Sequence, residues 1–251
     1  YEAIGLKGYW MGYVASRSAA LGTPPPELVI ATFHGFAPNM VRRSLPDAWS
    51  MATRDEILTT RFDLARDALG PALQHADTAA LAKELVAIVD GLNLAGKPLA
   101  AAHAAVPRPD DAAGLLWWAA TVIREYRGDC HLAVLTAAGL DGADSNALAV
   151  AAGLAVDDQR KMRGWTEDEW ELAVGRLRTR GWVDTEGAIT EAGRAARQQI
   201  EDATDRVCDA GIDREATARK ITVEAALLDL ARAIEASGAI PYPNPTGVQR
   251  P

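Results

Sequence analysis

Residues 166–194 read Thr-Glu-Asp-Glu-Trp-Glu-Leu-Ala-Val-Gly-Arg-Leu-Arg-Thr-Arg-Gly-Trp-Val-Asp-Thr-Glu-Gly-Ala-Ile-Thr-Glu-Ala-Gly-Arg, and this stretch decides the fold. Thr166 followed three positions later by Glu169 is the capping-box pattern that begins a helix. Apolar residues then recur at helical spacing, at Trp170, Val174 and Leu177. The sequence therefore predicts an amphipathic helix that begins at residue 166.

A hairpin and a long helix are predicted to follow. Residues 182–190 have the pattern of a short β-hairpin around a Glu-Gly turn, and a polar helix runs from residue 191 to about 208. Upstream, apolar periodicity predicts helices over residues 115–124, 131–138 and 146–152. This order of elements predicts an all-α fold with a small β-wing, in the arrangement of a winged helix-turn-helix.

The first half of the chain resembles the second half. Residues 28–36 align with 132–140, Arg17 aligns with Arg124, and the Thr-Arg-Asp-Glu of 53–56 aligns with the Thr-Glu-Asp-Glu of 166–169. Matched anchors in the same order indicate an internal duplication. We therefore expect two pseudo-repeated winged-helix-like halves: a degenerate, wingless helical repeat over 1–109, and a winged helix-turn-helix repeat with C-terminal helices over 110–251. Helices 9–20, 28–34 and 53–68 should then superimpose on 116–127, 132–138 and 166–180.

Two resemblances to known families support this fold. The Leu-Arg-Thr-Arg-Gly of 177–181 and the Ile-Thr-Glu-Ala-Gly of 189–193 resemble the MarR-type pattern, in which a recognition helix, a wing and a dimerisation helix follow one another. The whole chain also resembles an actinobacterial family of helix-turn-helix proteins of unknown function. That resemblance rests on residues 5–13, 42–49, 124–131 and the Pro-Tyr-Pro-Asn-Pro of 241–245, and it implies a further segment before Tyr1.

Composition restricts the class of protein. The 251 residues are 49% hydrophobic and 24% charged, as in ordinary globular proteins, and no apolar run reaches the length of a membrane helix. Cys130 and Cys208 show no metal-binding or redox spacing, which favours a reducing, cytoplasmic compartment. We expect a monomer or a homodimer that does not associate with membranes.

The charge distribution argues against DNA binding, although the fold argues for it. The net charge is −8, and the expected recognition helix begins with four carboxylates at Glu167, Asp168, Glu169 and Glu171. Phosphate contacts from basic side chains supply much of the affinity for DNA. The sequence therefore predicts a weakened DNA-binding surface.

The densest polar cluster is Arg-Glu-Tyr-Arg-Gly-Asp-Cys-His at residues 124–131. A structural interpretation is that Asp129 caps a helix beginning at His131, with ion pairs around it. A functional interpretation is that Arg124 or Arg127 anchors an anionic ligand while Asp129 orients His131 as an acid or base. Arg17, the counterpart of Arg124, could approach it across a pseudo-two-fold axis, with Glu125, Asp129 or an anionic ligand between them.

Aromatic residues gather near the matched helices. Tyr9, Trp10, Phe36 and Trp117 could line an apolar pocket, although such stripes more often belong to a core. His34, which lies between two aromatic residues and a glycine, is a second acid–base candidate. The four histidines, at positions 34, 75, 103 and 131, lack metal-binding spacing, and no motif identifies a cofactor.

These observations lead to one hypothesis and two alternatives. The hypothesis is a sensor or sequestering protein that binds a small, largely aromatic or apolar molecule with an anionic group between the two halves. Arg17, Arg124 and His131 should then share a cavity with Trp10, Trp117 and His34. The alternatives are an enzyme that uses the same pocket, with a histidine as acid or base, and a MarR-like transcriptional regulator.

Overall fold

The chain folds almost entirely into helices. The computed structural model describes residues 1–74 and 77–240, so His75 and the Pro-Tyr-Pro-Asn-Pro segment lie outside the described residues. The described helices, in chain order, are α1 (Gly8–Ser18), α2 (Pro26–Phe33), α3 (Pro38–Arg42), α4 (Ala48–Met51), α5 (Arg54–Leu73), α6 (Thr78–Asp90), α7 (Pro98–Ala104), α8 (Ala112–Ala137), α9 (Gly142–Ala151), α10 (Gln159–Met162), α11 (Glu167–Thr179), α12 (Glu191–Ala210) and α13 (Arg214–Ala236). Within these residues, no helix combines the length and the apolar character needed to span a bilayer.

Helix starts are set by local capping chemistry. Before α11, the Thr166 N–H donates to Glu169 Oε2 at 2.9 Å, and the Glu169 N–H donates back to Thr166 Oγ1 at 3.2 Å. Thr53 and Glu56 form the same reciprocal pair before α5. Both predicted capping boxes are therefore confirmed, because these contacts span three residues and depend on local sequence alone.

Helix α8 corrects one sequence-based prediction. Residues 115–124 and 131–138 were expected to form two helices, with Asp129 capping the second, but they form one continuous helix of 26 residues. Glycine inside a helix costs about 1 kcal/mol relative to alanine. Here Gly128 is tolerated because neighbouring Glu125, Tyr126, Asp129 and Cys130 are all buried against other helices. Tertiary packing thus outweighs the local break signal.

The predicted one-to-one match of helices between the two halves fails at the same place. In the first half, the matched segments fall in α1 and α2, which a Gly-Thr-Pro-Pro-Pro turn at residues 22–26 separates. Proline lacks the N–H group that a continuous helix requires. The corresponding residues of the second half contain no proline and run through within α8.

Helix α8 joins two hydrophobic cores. The large core combines α1–α7 and α13 with the first half of α8, including Trp118 and Val122. The small core combines the end of α8 with α9, α11 and α12, including Leu135, Leu148 and Leu177. The large core therefore contains residues from both sides of the predicted boundary at 109.

The hairpin between α11 and α12 is shorter than predicted. One antiparallel bridge joins Val183 to Ile189, and no longer strand is present in this part of the described chain. The Asp184 N–H donates to the Ala188 carbonyl at 2.9 Å, and Asp184 Oδ1 accepts from two N–H groups of the turn. Side-chain bonds therefore hold the turn more than a β-ladder does.

Candidate functional site

A cavity of about 660 Å³ lies between α1, the α2–α3 connection, α5 and α8. Its walls are aromatic and basic, with Tyr13, Phe33, Phe36, Trp117, Arg17, Arg61, Arg124 and Arg163. We call it the arginine cavity. Among the described residues that line it, none is an aspartate or a glutamate.

One buried carboxylate sits behind this cavity. Glu125 on α8 accepts from Arg17 Nε at 2.8 Å and from Arg17 Nη2 at 2.7 Å, and it also contacts Arg124 Nη1. Burial by itself would raise the pKa of Glu125, but the bonds and charge of Arg17 outweigh it and hold the pKa at about 2. The side chain of Glu125 is 1% exposed and that of Arg124 is 58% exposed. Both predicted arginines thus meet at Glu125, one buried and one at the cavity mouth.

Arg61 on α5 stands apart from this pair. Its Nη1 contacts the Ser16 hydroxyl at 3.4 Å, its guanidinium lies 5.5 Å from the centre of the Trp117 ring, and it forms no ion pair with any described residue. Burial lowers the pKa of Arg61 because the charged form loses hydration. Nearby, the indole Nε1 of Trp117 is buried without a hydrogen-bond partner in the described structure. A cation and a donor, both lacking an anionic partner, therefore occupy one side of the cavity.

His103 lies close to this region and stays neutral. Burial, followed by the charge of Arg61, lowers the pKa of His103 to about 4. Its Nε2 lies 3.1 Å from the Arg17 carbonyl oxygen, an acceptor, so Nε2 carries the proton and donates. His103 thus supports the backbone of Arg17.

The arginines are stacked on aromatic rings. The guanidinium of Arg17 lies 4.3 Å from the centre of the Phe33 ring, and that of Arg163 lies 4.5 Å from the centre of the Phe36 ring. Burial alone would raise the pKa of Tyr13, but the charges of Arg17, Arg124 and Arg163 together lower it. The stacking limits how far the guanidinium planes can move, and the surroundings favour negative charge.

The predicted histidines lie in a different cavity. His34, Arg127 and His131 line a space of about 410 Å³ together with Arg197 and Glu201, and we call this the histidine cavity. The expectation of one common cavity is wrong, because Gly35 and Asn146 form a wall that both cavities share. Trp10 and Tyr9 line neither cavity. They pack instead as an aromatic cluster, with Trp10 5.7 Å from Phe36 and 5.0 Å from Tyr9.

Within the histidine cavity, the proton position on His131 follows from its partner. Thr204 Oγ1 donates to the Ile200 carbonyl at 2.8 Å, so its oxygen accepts from His131 Nδ1 at 2.9 Å. Burial lowers the pKa of His131, which leaves a neutral ring with an unprotonated Nε2. Arg127 is paired with Glu201 at 2.7 Å. The chemistry proposed for His131 would therefore occur away from the four cavity arginines.

Asp129 neither caps α8 nor orients His131. Its Oδ2 accepts from the N–H groups of Leu99 and Ala100, each at 2.9 Å, at the start of α7. Helix N-termini attract carboxylates because their first N–H groups lack partners within the helix. Asp129 is thus a cap for a helix about thirty residues earlier in the chain.

The wall between the cavities is a strained turn. His34 has φ 43° and ψ −59°, and among the described residues it is the non-glycine residue with positive φ. Such backbone geometry costs on the order of 1–3 kcal/mol and persists where neighbours hold it. The next carbonyl, that of Gly35, accepts from Asn146 Nδ2 at 2.8 Å and from Trp165 Nε1 at 3.2 Å. The turn therefore joins the arginine cavity to α9 and to the start of α11.

Sequence reasoning missed several cavity residues, namely Tyr13, Phe33, Arg61, Thr121, Asn146 and Arg163. One of them carried a usable signal. Arg61 occupies a position on the apolar stripe of α5, three residues after Leu58 and four before Ala65, both of which are buried. A charged residue on the buried face of an amphipathic helix points to a functional or paired group.

The arginines of α11 face inward. Arg176 pairs with Asp141 at 2.6 Å and with Asp144 at 2.8 Å. Arg178 donates to two carbonyls of the hairpin turn, and Arg180 donates to the carbonyls of Ala138 and Gly139. These side chains hold α11 to its neighbours, while the first turn of the helix presents acidic residues.

The arrangement of α9, α11, the hairpin and α12 on the end of α8 defines a protein of the helix-turn-helix class. The chain belongs to the helix-turn-helix family, whose model matches residues 1–241. No curated protein and no solved structure has significant similarity to it.

Proposed function

We propose that this chain is a ligand-binding member of the helix-turn-helix family, a sensor or sequestering protein. Its arginine cavity takes a small molecule with an aromatic or apolar body and an anionic group. The observation that carries the proposal is Arg61, a partly buried cation without an ion-pair partner in the described structure, beside the unpartnered Nε1 of Trp117. Burying a charge is unfavourable unless it is paired, and an anion in the cavity would supply the partner.

The walls agree with a ligand of this chemistry. The cavity volume of about 660 Å³ lies within the range usual for small-molecule sites. Tyr13, Phe33, Phe36 and Trp117 supply an apolar surface, and the arginines supply donors for a carboxylate or a phosphate.

A matched pair of probes tests this proposal. Isothermal titration calorimetry should show that 1-naphthoate binds at least about tenfold more tightly than neutral 1-naphthamide, since each charge-assisted hydrogen bond contributes about 1.5–3 kcal/mol. Arg124→Ala should weaken naphthoate binding while changing the melting temperature little. Arg232→Ala is the control variant, because Arg232 is exposed on α13 and pairs with Asp229. Equal affinity for the two probes contradicts the proposal.

A transcriptional regulator is the second candidate, and family membership favours it. The residue 34–37 segment offers a route from ligand to fold, since the Ala37 N–H donates to the Arg163 carbonyl at 2.9 Å and Gly35 is held by Asn146 and Trp165. DNA binding that falls steeply with added salt, and that changes with an anionic ligand, favours the regulator. Ligand-dependent stabilisation without DNA binding favours the sequestering protein.

The enzyme alternative needs a different site from the one predicted. His131 and His34 lie in the histidine cavity, whereas the anchoring arginines line the other cavity. Turnover of an anionic aromatic substrate that is lost in His131→Gln would favour this alternative. Stabilisation by ligand that persists unchanged in His131→Gln favours binding alone.

A further inference from the structure

We infer that the ligand of the arginine cavity carries at least two negative charges, as a dicarboxylate or as a phosphate monoester. This inference rests on the proposed function and extends it from an anionic group to a charge number. It follows from how Arg17, Arg61 and Arg124 share one carboxylate, that of Glu125.

The carboxylate of Glu125 is already saturated by protein donors. Each of its oxygens accepts from Arg17, at 2.8 and 2.7 Å, and Oε1 also contacts Arg124. One negative charge is thus shared by two guanidinium groups. It cannot turn toward Arg61 without breaking a bidentate pair, the strongest ion-pair geometry available to arginine.

Three cations against one anion leave an excess of two positive charges in a partly enclosed space. This count omits Arg163, which also lines the cavity and so does not reduce the excess. A monoanion would leave one guanidinium uncompensated, whereas a dianion would balance the three arginines. The lowered pKa of Tyr13, which faces several of these charges, agrees with an unbalanced positive environment.

The two excess charges are placed for two separate contacts. Arg61 lies inside, against Trp117 and close to the buried indole Nε1, whereas Arg124 is 58% exposed and sits at the mouth. One anionic group would therefore bind inside near Arg61, and the other at the mouth near Arg124. Stacking of Arg61 on the Trp117 ring lowers the entropy lost when an anion is bound.

A charge series on one scaffold tests the inference. Calorimetry at constant ionic strength compares 1-naphthoate with two naphthalenedicarboxylates, the 1,4 and the 2,6 isomers, and with 1-naphthyl phosphate. At least one doubly charged probe should bind about tenfold or more tightly than 1-naphthoate. Preference for the phosphate or for a dicarboxylate identifies which group carries the charge. If 1-naphthoate binds as tightly as every doubly charged probe, the charge number is wrong while the proposed function stands.

Substitution of Arg61 provides the second arm. Arg61→Gln should reduce the preference for the doubly charged probe to below about threefold. It should not lower the melting temperature of the ligand-free protein, because no ion pair is lost. Arg61→Met is the second variant, and Arg232→Gln is the matched control. A preserved preference in both variants overturns the inference, as does a fall in melting temperature of several degrees. Failure of every probe to bind overturns the proposed function with it.

Discussion

Arg17 on α1 and Glu125 on α8 form a bidentate ion pair across the large core, with Nε to Oε1 at 2.8 Å and Nη2 to Oε2 at 2.7 Å. Side-chain exposure is 11% for the arginine and 1% for the glutamate. The pair closes the inner side of the arginine cavity and sets its charge. It therefore contributes both to stability and to the ligand preference proposed above.

Glu125→Gln should lower the free energy of unfolding by about 3–5 kcal/mol, because it leaves Arg17 buried beside a neutral amide. Urea denaturation measures this loss. Glu224→Gln is the control, since Glu224 is exposed on α13, and it should change stability by less than about 0.5 kcal/mol. The double variant Arg17→Met, Glu125→Leu should recover most of the loss. A loss below about 1 kcal/mol in Glu125→Gln would show that the pair is not needed for the fold.

His103 should make stability depend on pH between about 6.5 and 4. Its pKa in the folded protein is about 4, below the ordinary 6.5, so in this window the unfolded chain binds the additional proton. Stability is then lost as the pH falls from 6.5 to 4, by about 3 kcal/mol for a shift of this size, and the loss from His103 levels off below pH 4.

His103→Gln tests this dependence, because glutamine keeps a nitrogen donor for the Arg17 carbonyl but does not titrate. The slope of unfolding free energy against pH should decrease between pH 6.5 and 4 while stability near pH 7 changes little. Arg61→Gln should raise the pKa of His103, measured by NMR titration, since the charge of Arg61 helps to lower it. An unchanged slope in His103→Gln would contradict the assignment.

Asp129→Ala should destabilise the protein by about 1–2 kcal/mol, the usual effect of losing a helix cap, without altering naphthoate affinity. The reason is that Asp129 accepts from Leu99 and Ala100 at the start of α7 and contacts no cavity arginine through an ion pair. Asp110→Ala, at an exposed position, serves as the control. A loss of ligand affinity larger than the loss of stability would return Asp129 to the list of functional residues.

Gly142→Ala and Gly175→Ala should change stability in opposite directions. A Cβ on Gly142 would lie 2.0 Å from the His34 carbonyl oxygen, so the strained turn or α9 must move, and we expect a loss of about 2 kcal/mol or more. A Cβ on Gly175 in α11 meets nothing within 4 Å, and alanine there should stabilise by about 0.5–1 kcal/mol. Thermal unfolding of both variants measures the difference. Equal effects would show that the turn is not packed tightly on α9.

Duplex DNA should not bind tightly at an ionic strength of about 0.15 M. Arg176, Arg178 and Arg180 are engaged in contacts within the protein, and the start of α11 is acidic. Fluorescence anisotropy with a labelled duplex at low and high salt provides the measurement. Sub-micromolar binding with a steep salt dependence would show that another basic surface contacts the phosphates.

The sequence by itself determined the features that depend on contacts within three or four residues. The Thr53–Glu56 and Thr166–Glu169 capping boxes form as predicted, and α11 and α12 lie where periodicity placed them. Each of these elements is decided by neighbouring side chains and backbone N–H groups, which a local pattern records.

Tertiary structure decided the continuity of α8 and the partners of its polar residues. Asp129 caps a helix 30 residues away, Glu125 binds an arginine 108 residues away, and the turn at Gly35 divides the predicted site into two cavities. A local pattern carries no information about which distant groups will be buried together. Burial leaves each polar group to find a partner wherever the packing places one, so the charge balance of the arginine cavity arises only once the chain has folded.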